Sequence, residues 1–240
     1  MRTIAILPIK SFGAAKQRLS SLLAGGAREA LAQAMYSDVL ASLRHVEGLD
    51  AVAVVTANKL AESVISRTGV RLLRDVEEGG HNAAARLGIR HALDEGFDRV
   101  LLVPGDTPLL DPLEVGAMLS RAESENTPVT IVPDRHGTGT NALLLCPPEA
   151  ISPSFGPGSL ERHRQAARDS ASAHRVEAIF SLMLDVDTPE DLGELSEALS
   201  ERRGQASMTR GALRQLDRSQ MRGPLASRRR EPAAGSPARL

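Results

Sequence analysis

Lysine is rare in this chain. Of 29 basic residues only Lys10, Lys16 and Lys59 are lysines, and the first two sit in "ILPIKSFGAAKQRL", directly after the first apolar run. Arg18 adds a third cation within nine positions. Gly13 and the small Ser11, Ala14 and Ala15 would let backbone N–H groups approach a ligand closely. Separated point charges and exposed amides suit a phosphate chain, so Lys10, Gly13, Lys16 and Arg18 are candidate nucleotide-binding residues. The segment is neither G-x-x-x-x-G-K-[ST] nor G-x-G-x-x-G. On composition alone it is either a phosphate loop or a solvated basic loop.

Carboxylates follow two other apolar runs. Asp106 comes straight after "RVLLVPG", with Gly105 leaving room beside it and Pro108 and Pro112 directing the exit of the chain. In "LMLDVDTPEDL", Asp185 and Asp187 alternate and would share one side of a strand. Three such aspartates make an oxygen-rich set suited to Mg²⁺. Asp187 also has a structural alternative, since Asp187 or Thr188 could cap a helix opened by Pro189. Asp185 has no such role.

Two loops look built for anions. "DRHGTGTNALLL" sets Thr140 before a strand, and "SFGPGSLERHR" sets Gly156 and Ser159 at a helix start, with Arg162 and Arg164 in its first turns. Each could instead be a tight turn with a serine cap. In "EEGGHNAAARLG", Gly79, Gly80 and Asn82 precede a helix and offer a place for a nucleoside, with His81 an incidental loop residue. The histidines show no spacing for zinc. Cys146, the single cysteine, ends the apolar run "NALLLC" and is expected to be a small buried hydrophobe rather than a nucleophile.

The elements that must position these residues alternate. Short β-branched runs ("TIAILPI", "AVAVVT", "VRLLRD", "RVLLVPGD", "VTIVPD", "NALLLC", "LMLDVD") read as strands. Between them lie helical patterns such as "AREALAQAMYSDVLASLRHV", "HNAAARLGIRHALDEG" and "PLEVGAMLSRA", the last opened by Pro112. The implied class is α/β: a mainly parallel twisted sheet covered by helices on both faces, with "VTIVPD" and "NALLLC" as a small antiparallel insertion. Ligands in such sheets gather beyond the carboxyl ends of the strands, where these loops fall. Residues 1–199 are expected to form this domain. Residues 200–240 read as a basic, disordered tail: residues 201–240 hold ten arginines against Glu201, Asp217 and Glu231, a balance of +7, which leaves −8 on residues 1–200.

Composition excludes several classes. Aromatic content of 2% argues against stacking on single-stranded nucleic acid, and the tail's "SRRRE" cluster is expected to be solvated rather than a nucleic-acid contact. No run nears the ~18 apolar residues of a membrane span, and the N-terminus lacks the features of a signal peptide. One cysteine permits no internal disulfide, which agrees with a cytoplasmic location.

Taken together, "LPIKSFGAAKQRL", "HNAAARLG", "GDTPLL", "DRHGTGTNALLL", "FGPGSLERH" and "DVDTPEDL" occur in an order that resembles the phosphoenolpyruvate/2-phospho-L-lactate guanylyltransferases of coenzyme F-420 biosynthesis, over about residues 1–197. The resemblance implies a GT-A-like nucleotidyltransferase fold. It implies transfer of GMP from GTP to phosphoenolpyruvate, with 2-phospho-L-lactate or 3-phospho-D-glycerate as alternative acceptors. By the same resemblance the acceptor would meet Thr140, Gly156 and Ser159, Mg²⁺ would be held by Asp106, Asp185 and Asp187, and the product would pass to the next enzyme of deazaflavin coenzyme assembly. His81 departs from the leucine common in relatives, and Asn141 is shared with archaeal members. Rival readings are a molybdopterin or sugar-phosphate nucleotidyltransferase and, from another class, a non-catalytic nucleotide-binding module. No nucleic acid or membrane partner is expected, and a homodimer is left open.

Overall fold

The computed structural model describes residues 1–9, 16–57, 69–75, 79–202 and 204–222. Seven strands form one sheet: β1 (Thr3–Ile9), β2 (Ala51–Thr56), β3 (Arg71–Arg74), β4 (Arg99–Leu102), β5 (Val129–Pro133), β6 (Thr140–Leu145) and β7 (His174–Val176). Their order across the sheet is β3-β2-β1-β4-β6-β5-β7. All neighbouring pairs are parallel except those of β6, which runs antiparallel to both β4 and β5. The expected mainly parallel sheet with one antiparallel insertion is therefore present.

Alternation along the strands explains the layers. On β1, Ala5 and Leu7 face one side, where Val52 and Val54 of β2 and Leu101 of β4 join α1 (Gly25–Leu43) and the helix that follows β4. Ile4 and Ile6 face the other side, with Ala53, Val55, Val100 and Leu102, against α2 (His81–Asp94). Burying both faces is why these strands read as continuous apolar runs. The helix after β4 is α3 (Pro112–Ser124), opened by Pro112 and capped by Asp111, whose carboxylate accepts from the Leu113 N–H at 2.8 Å. On the α2 side lies α4 (Ser159–Asp169), and the chain continues through the one-turn α5 (Phe180–Met183), α6 (Pro189–Glu201) and α7 (Ser207–Arg222).

Two expectations need correction. "LMLDVD" is not a strand: its first residues belong to α5, and Leu184–Thr188 runs without strand pairing. The strand in that part of the chain is β7, whose sequence "HRV" is too short and polar to announce itself. The chain beyond residue 200 is not featureless either, because α7 occupies residues 207–222. Its Ala212, Leu213 and Leu216 pack on a third apolar cluster with Leu31 and Met35 of α1 and Leu195 and Leu199 of α6. Asp38, buried in α1, accepts from the backbone N–H groups of Met208 (3.1 Å) and Thr209 (2.7 Å) and so caps α7 from another helix. The few apolar residues of α7 suffice because a groove and a cap await them, and neither is visible locally.

At the centre, α2 lies close on β1. A Cβ at Gly88 would come within 2.3 Å of Ile6 Cγ2. In an open helix Gly→Ala stabilises by about 1 kcal/mol. Here the sign should reverse, with Gly88→Ala costing about 1–3 kcal/mol through overpacking. Chemical denaturation would check this, and an unchanged or raised midpoint would mean that the helix is free to move off the strand.

Candidate active site

The chain passes from β1 outward to β2 and β3, then returns to place β4 on the other side of β1. The carboxyl ends of β1 and β4 therefore diverge, the position at which open α/β sheets form a crevice. A cavity of about 710 Å³ lies there, walled by Ile9 at the end of β1, Gly105 and Asp106 after β4, and Asp185 and Asp187. Because β6 runs backwards, its first residues, Thr140 and Asn141, reach the same end and join the wall. Gly80, His81 and Asn82 at the start of α2, and Phe155 and Gly156 before α4, complete it.

Lys16 organises the acidic side. Its ammonium pairs with Asp106 and with Asp187, the latter at 2.9 Å, while its side chain is only 6% exposed. Burial alone would lower the lysine pKa, but the two carboxylates outweigh it and hold the group well above its ordinary value. Lys16 also adopts a left-handed backbone conformation, φ 57° and ψ 39°, which costs a non-glycine residue on the order of 1 kcal/mol. The two ion pairs offset that strain. A backbone bond from the Val186 N–H to the Asp106 carbonyl (3.2 Å) ties the two acidic segments together.

Asn141 sets the third carboxylate. Its amide donates to the carbonyls of Leu182 (2.9 Å) and Met183 (3.0 Å) and to Asp185 Oδ1 (3.2 Å). Asp185 is pushed up from 3.8 to about 6, first by burial and then by the charge of Asp106, with the Asn141 bond opposing and Asp187 adding to the rise. No site role for Asn141 follows from sequence. Its signals there are a polar residue opening the run "NALLLC" and a likeness to archaeal members at that position.

On the opposite wall, Thr140 Oγ1 lies 2.9 Å from Nδ1 of His163, a fully buried ring whose Nε2 accepts from the Ser154 N–H at 2.9 Å. Gly156, at φ 115°, lines the cavity. Ser159 does not reach the cavity wall, but its hydroxyl is buried without a hydrogen-bond partner among the described residues, an arrangement that costs about 1–3 kcal/mol unless something fills it. The arginines of this loop are not free for an anion. Arg162 donates to the Ser154 hydroxyl (2.9 Å) and carbonyl (2.8 Å) and to the Pro157 carbonyl, and Arg164 pairs with Glu161.

The remaining candidates separate. Lys10 and Gly13 lie outside the described residues. Arg18 is exposed on a short 3-10 turn (Gln17–Leu19) and takes no part in the cavity wall. Asn82 lines the cavity, yet both ends of its amide are engaged: it donates to the Phe155 carbonyl (3.2 Å) and accepts from the Phe155 N–H (2.7 Å). It clamps the glycine loop to α2 rather than offering an open amide. His81 is not an incidental loop residue, since it begins α2, lines the cavity and meets the Phe155 ring edge-on at 4.8 Å. Cys146 sits at the far end of β6, half-buried, and burial raises its thiol pKa, so nothing activates it. For Asp187, capping falls to Thr188, which forms a reciprocal box with Asp191, leaving the Asp187 carboxylate to Lys16.

Among the described residues no three His, Cys, Asp or Glu side chains are gathered closely enough to cage a metal ion unaided. The donor chemistry nevertheless fits a hard divalent cation. Three carboxylates share the cavity with one ammonium, a surplus of two negative charges when all are ionised.

Comparisons with known proteins show the family and the fold. The family model "Guanylyl transferase CofC like" matches residues 3–220. A phosphoenolpyruvate guanylyltransferase of Conexibacter woesei is 48% identical over 219 residues, which are 91% of this chain and 98% of that one. A 2-phospho-L-lactate guanylyltransferase of Methanothermobacter thermautotrophicus is 38% identical over 81% of this chain and 84% of its own. A solved structure from Desulfovibrio desulfuricans G20, assigned as a nucleotide-diphospho-sugar transferase, superposes with a TM-score of 0.71 at 18% identity, covering 91% of this chain and 96% of that one. At that identity it shows a shared nucleotidyltransferase-like fold. Among the described residues no helix is long and apolar enough to cross a membrane.

The raised Asp185 pKa makes a stability prediction. The folded state keeps a proton near pH 5 that the unfolded state has released, so stability falls as pH rises from about 4 through about 6. Asp185→Asn should therefore melt higher than the wild type at pH 8 in metal-free buffer, by on the order of 2 kcal/mol, with the gain fading towards pH 4. Melting curves across that range would check it, and a variant less stable at pH 8 would contradict it.

Proposed function

Because the chain belongs to the CofC-like guanylyl transferase family, we propose that it transfers GMP from GTP to phosphoenolpyruvate, forming enolpyruvyl-diphospho-guanosine and releasing pyrophosphate. The observation that carries this reading is a cavity with two unlike walls: a cation held among carboxylates on one side, and the Thr140 hydroxyl with a glycine loop on the other. Two polyanions must meet in such a reaction, and each wall suits one of them.

An oxygen of the acceptor's phosphate forms the new bond to the α-phosphorus of GTP while the bond from that phosphorus to the bridging oxygen breaks, and pyrophosphate carries the electron pair away. A phosphate monoester is already anionic near neutral pH, so no strong base is needed. Catalysis then rests on positioning and charge stabilisation. Lys16, protonated throughout the working pH range, supplies a fixed positive charge beside the triphosphate. The family resemblance gives Lys10 the same role, whereas Arg18, exposed outside the cavity wall, is not given it. Thr140, Gly156 and Ser159 orient the acceptor. Asp106, Asp185 and Asp187 would hold Mg²⁺, which when bound offsets the charge of both substrates. The product, an activated diphosphate diester, would be consumed by the next enzyme of deazaflavin coenzyme assembly. The 48%-identical relative named for phosphoenolpyruvate favours that acceptor. The 38%-identical one keeps 2-phospho-L-lactate as the second reading.

Supplying GTP and Mg²⁺ with phosphoenolpyruvate, 2-phospho-L-lactate or 3-phospho-D-glycerate in turn, and following pyrophosphate, tests the acceptor. Release should be fastest with phosphoenolpyruvate, whereas GTP binding without release from any acceptor would make the protein a nucleotide-binding module. Asp187→Asn should lower turnover by about 100-fold or more while the fold is kept, because Thr188 keeps α6 capped and Asp106 still pairs with Lys16. Near-normal turnover would sink the role given to that carboxylate. Ser159→Ala should leave the free protein as stable or up to about 1 kcal/mol more stable, since it deletes an orphaned hydroxyl, yet raise the acceptor KM.

A further inference from the structure

His163 stands out in none of the sequence motifs, yet its two ring nitrogens join two parts of the cavity wall. The Ser154 N–H can only donate, and it stands 2.9 Å from Nε2, so that nitrogen carries no proton. A neutral imidazole keeps its single proton on the other nitrogen, Nδ1, which lies 2.9 Å from Thr140 Oγ1. The Thr140 oxygen therefore accepts from the ring, and its own hydrogen must point elsewhere. No protein acceptor is paired with that hydrogen among the described residues, and Thr140 lines the cavity.

We propose that His163 is a positioning residue that commits the Thr140 hydroxyl as a hydrogen-bond donor towards an anionic oxygen of the acceptor, its phosphate or carboxylate. The proposal rests on the assignment of Thr140 to the acceptor made above. Without the ring, a threonine hydroxyl rotates freely and donates or accepts as its surroundings dictate. With Nδ1–H against it, the hydroxyl offers a proton and disfavours a ligand group that must itself donate there. The ring is firmly held, being fully buried with Phe155 packed edge-on against it at 5.2 Å and 73°. Burial first, and then the neighbouring Arg162, push the imidazole down to about 4, so the neutral form prevails across the physiological range. Through Nε2 the same ring also fixes Ser154, two residues from Gly156, so one side chain sets both the threonine and the glycine loop.

Two measurements decide the matter. The first needs no substrate: two-bond ¹H–¹⁵N correlation spectra of the full chain with ¹⁵N-labelled histidine, with His163 identified by its absence in His163→Asn. The expected result is the Nδ1–H tautomer, and an Nε2–H or doubly protonated ring overturns the proposal. The second is a kinetic cycle. Thr140→Val and His163→Leu should each raise the acceptor KM roughly tenfold or more, the worth of a hydrogen bond to a charged group, with the GTP KM unmoved. The double variant should lose less than the two single losses combined, because part of the histidine's effect passes through the threonine. His163→Asn, whose amide can still donate at the Nδ1 position, should restore most of the loss and covers the case in which the leucine variant fails to fold. Additive losses, or no rescue by asparagine in a protein that melts normally, overturn the relay. An unchanged acceptor KM in Thr140→Val, with the Nδ1–H tautomer present, instead overturns the acceptor assignment beneath it.

Discussion

The ammonium of Lys16, buried between Asp106 and Asp187, is the contact on which the rest of the site depends. It joins a segment following β1, the turn after β4 and the entry to α6 through one buried ammonium. Without it, three carboxylates would face one cavity with no lysine or arginine of its wall, among the described residues, to offset them. With it, the surplus falls to two negative charges, one of which Asp185 resists by keeping its proton to higher pH than usual. The left-handed backbone at Lys16 belongs to the same balance, since a strained conformation persists only where surrounding contacts enforce it.

The second constraint is topological. A sheet that were parallel throughout would put only residues that follow strands at the crevice. Reversing β6 brings residues that begin a strand to the same rim, so that Thr140 and Asn141 stand across from Asp106. Asn141 then staples the strand to the segment carrying Asp185, and Thr140 meets the buried ring of His163. The two unlike walls of the cavity follow from one change in strand direction.

Much of the polar chemistry around the cavity is spent on holding loops in place. Asn82 pairs with both backbone groups of Phe155, Arg162 braces the Ser154–Pro157 stretch, and Thr188 with Asp191 caps α6. These bonds leave Lys16, Asp185, Asp187 and Thr140 turned towards the cavity. They also explain why residue type alone overstated the anion-binding capacity of the glycine loop: Arg162 faces the loop's own backbone and Arg164 pairs with Glu161.

The alternation of apolar runs and helical periods determined the α/β class, the helix starts at Pro112 and Pro189, and the antiparallel pair, because those features follow from local burial and capping that each segment carries in its own residues. The ordered set of motifs likewise marked Asp106, Asp185, Asp187 and Thr140 as residues of one site before any contact was known. What the tertiary structure alone decided is how each polar group is used. Whether Asp187 caps a helix or pairs with a lysine, whether Asn82 is open or engaged, and whether Arg18 faces the cavity or solvent depend on partners far away in sequence. The same holds for α7, whose sparse apolar residues become a packed helix only because Asp38 and the α1 groove lie opposite, and for His163, whose role exists only through the two atoms at its ring nitrogens. Hydrogen bonds and ion pairs are directional and short-ranged, so residue types can nominate their participants, but only the folded chain assigns the pairs.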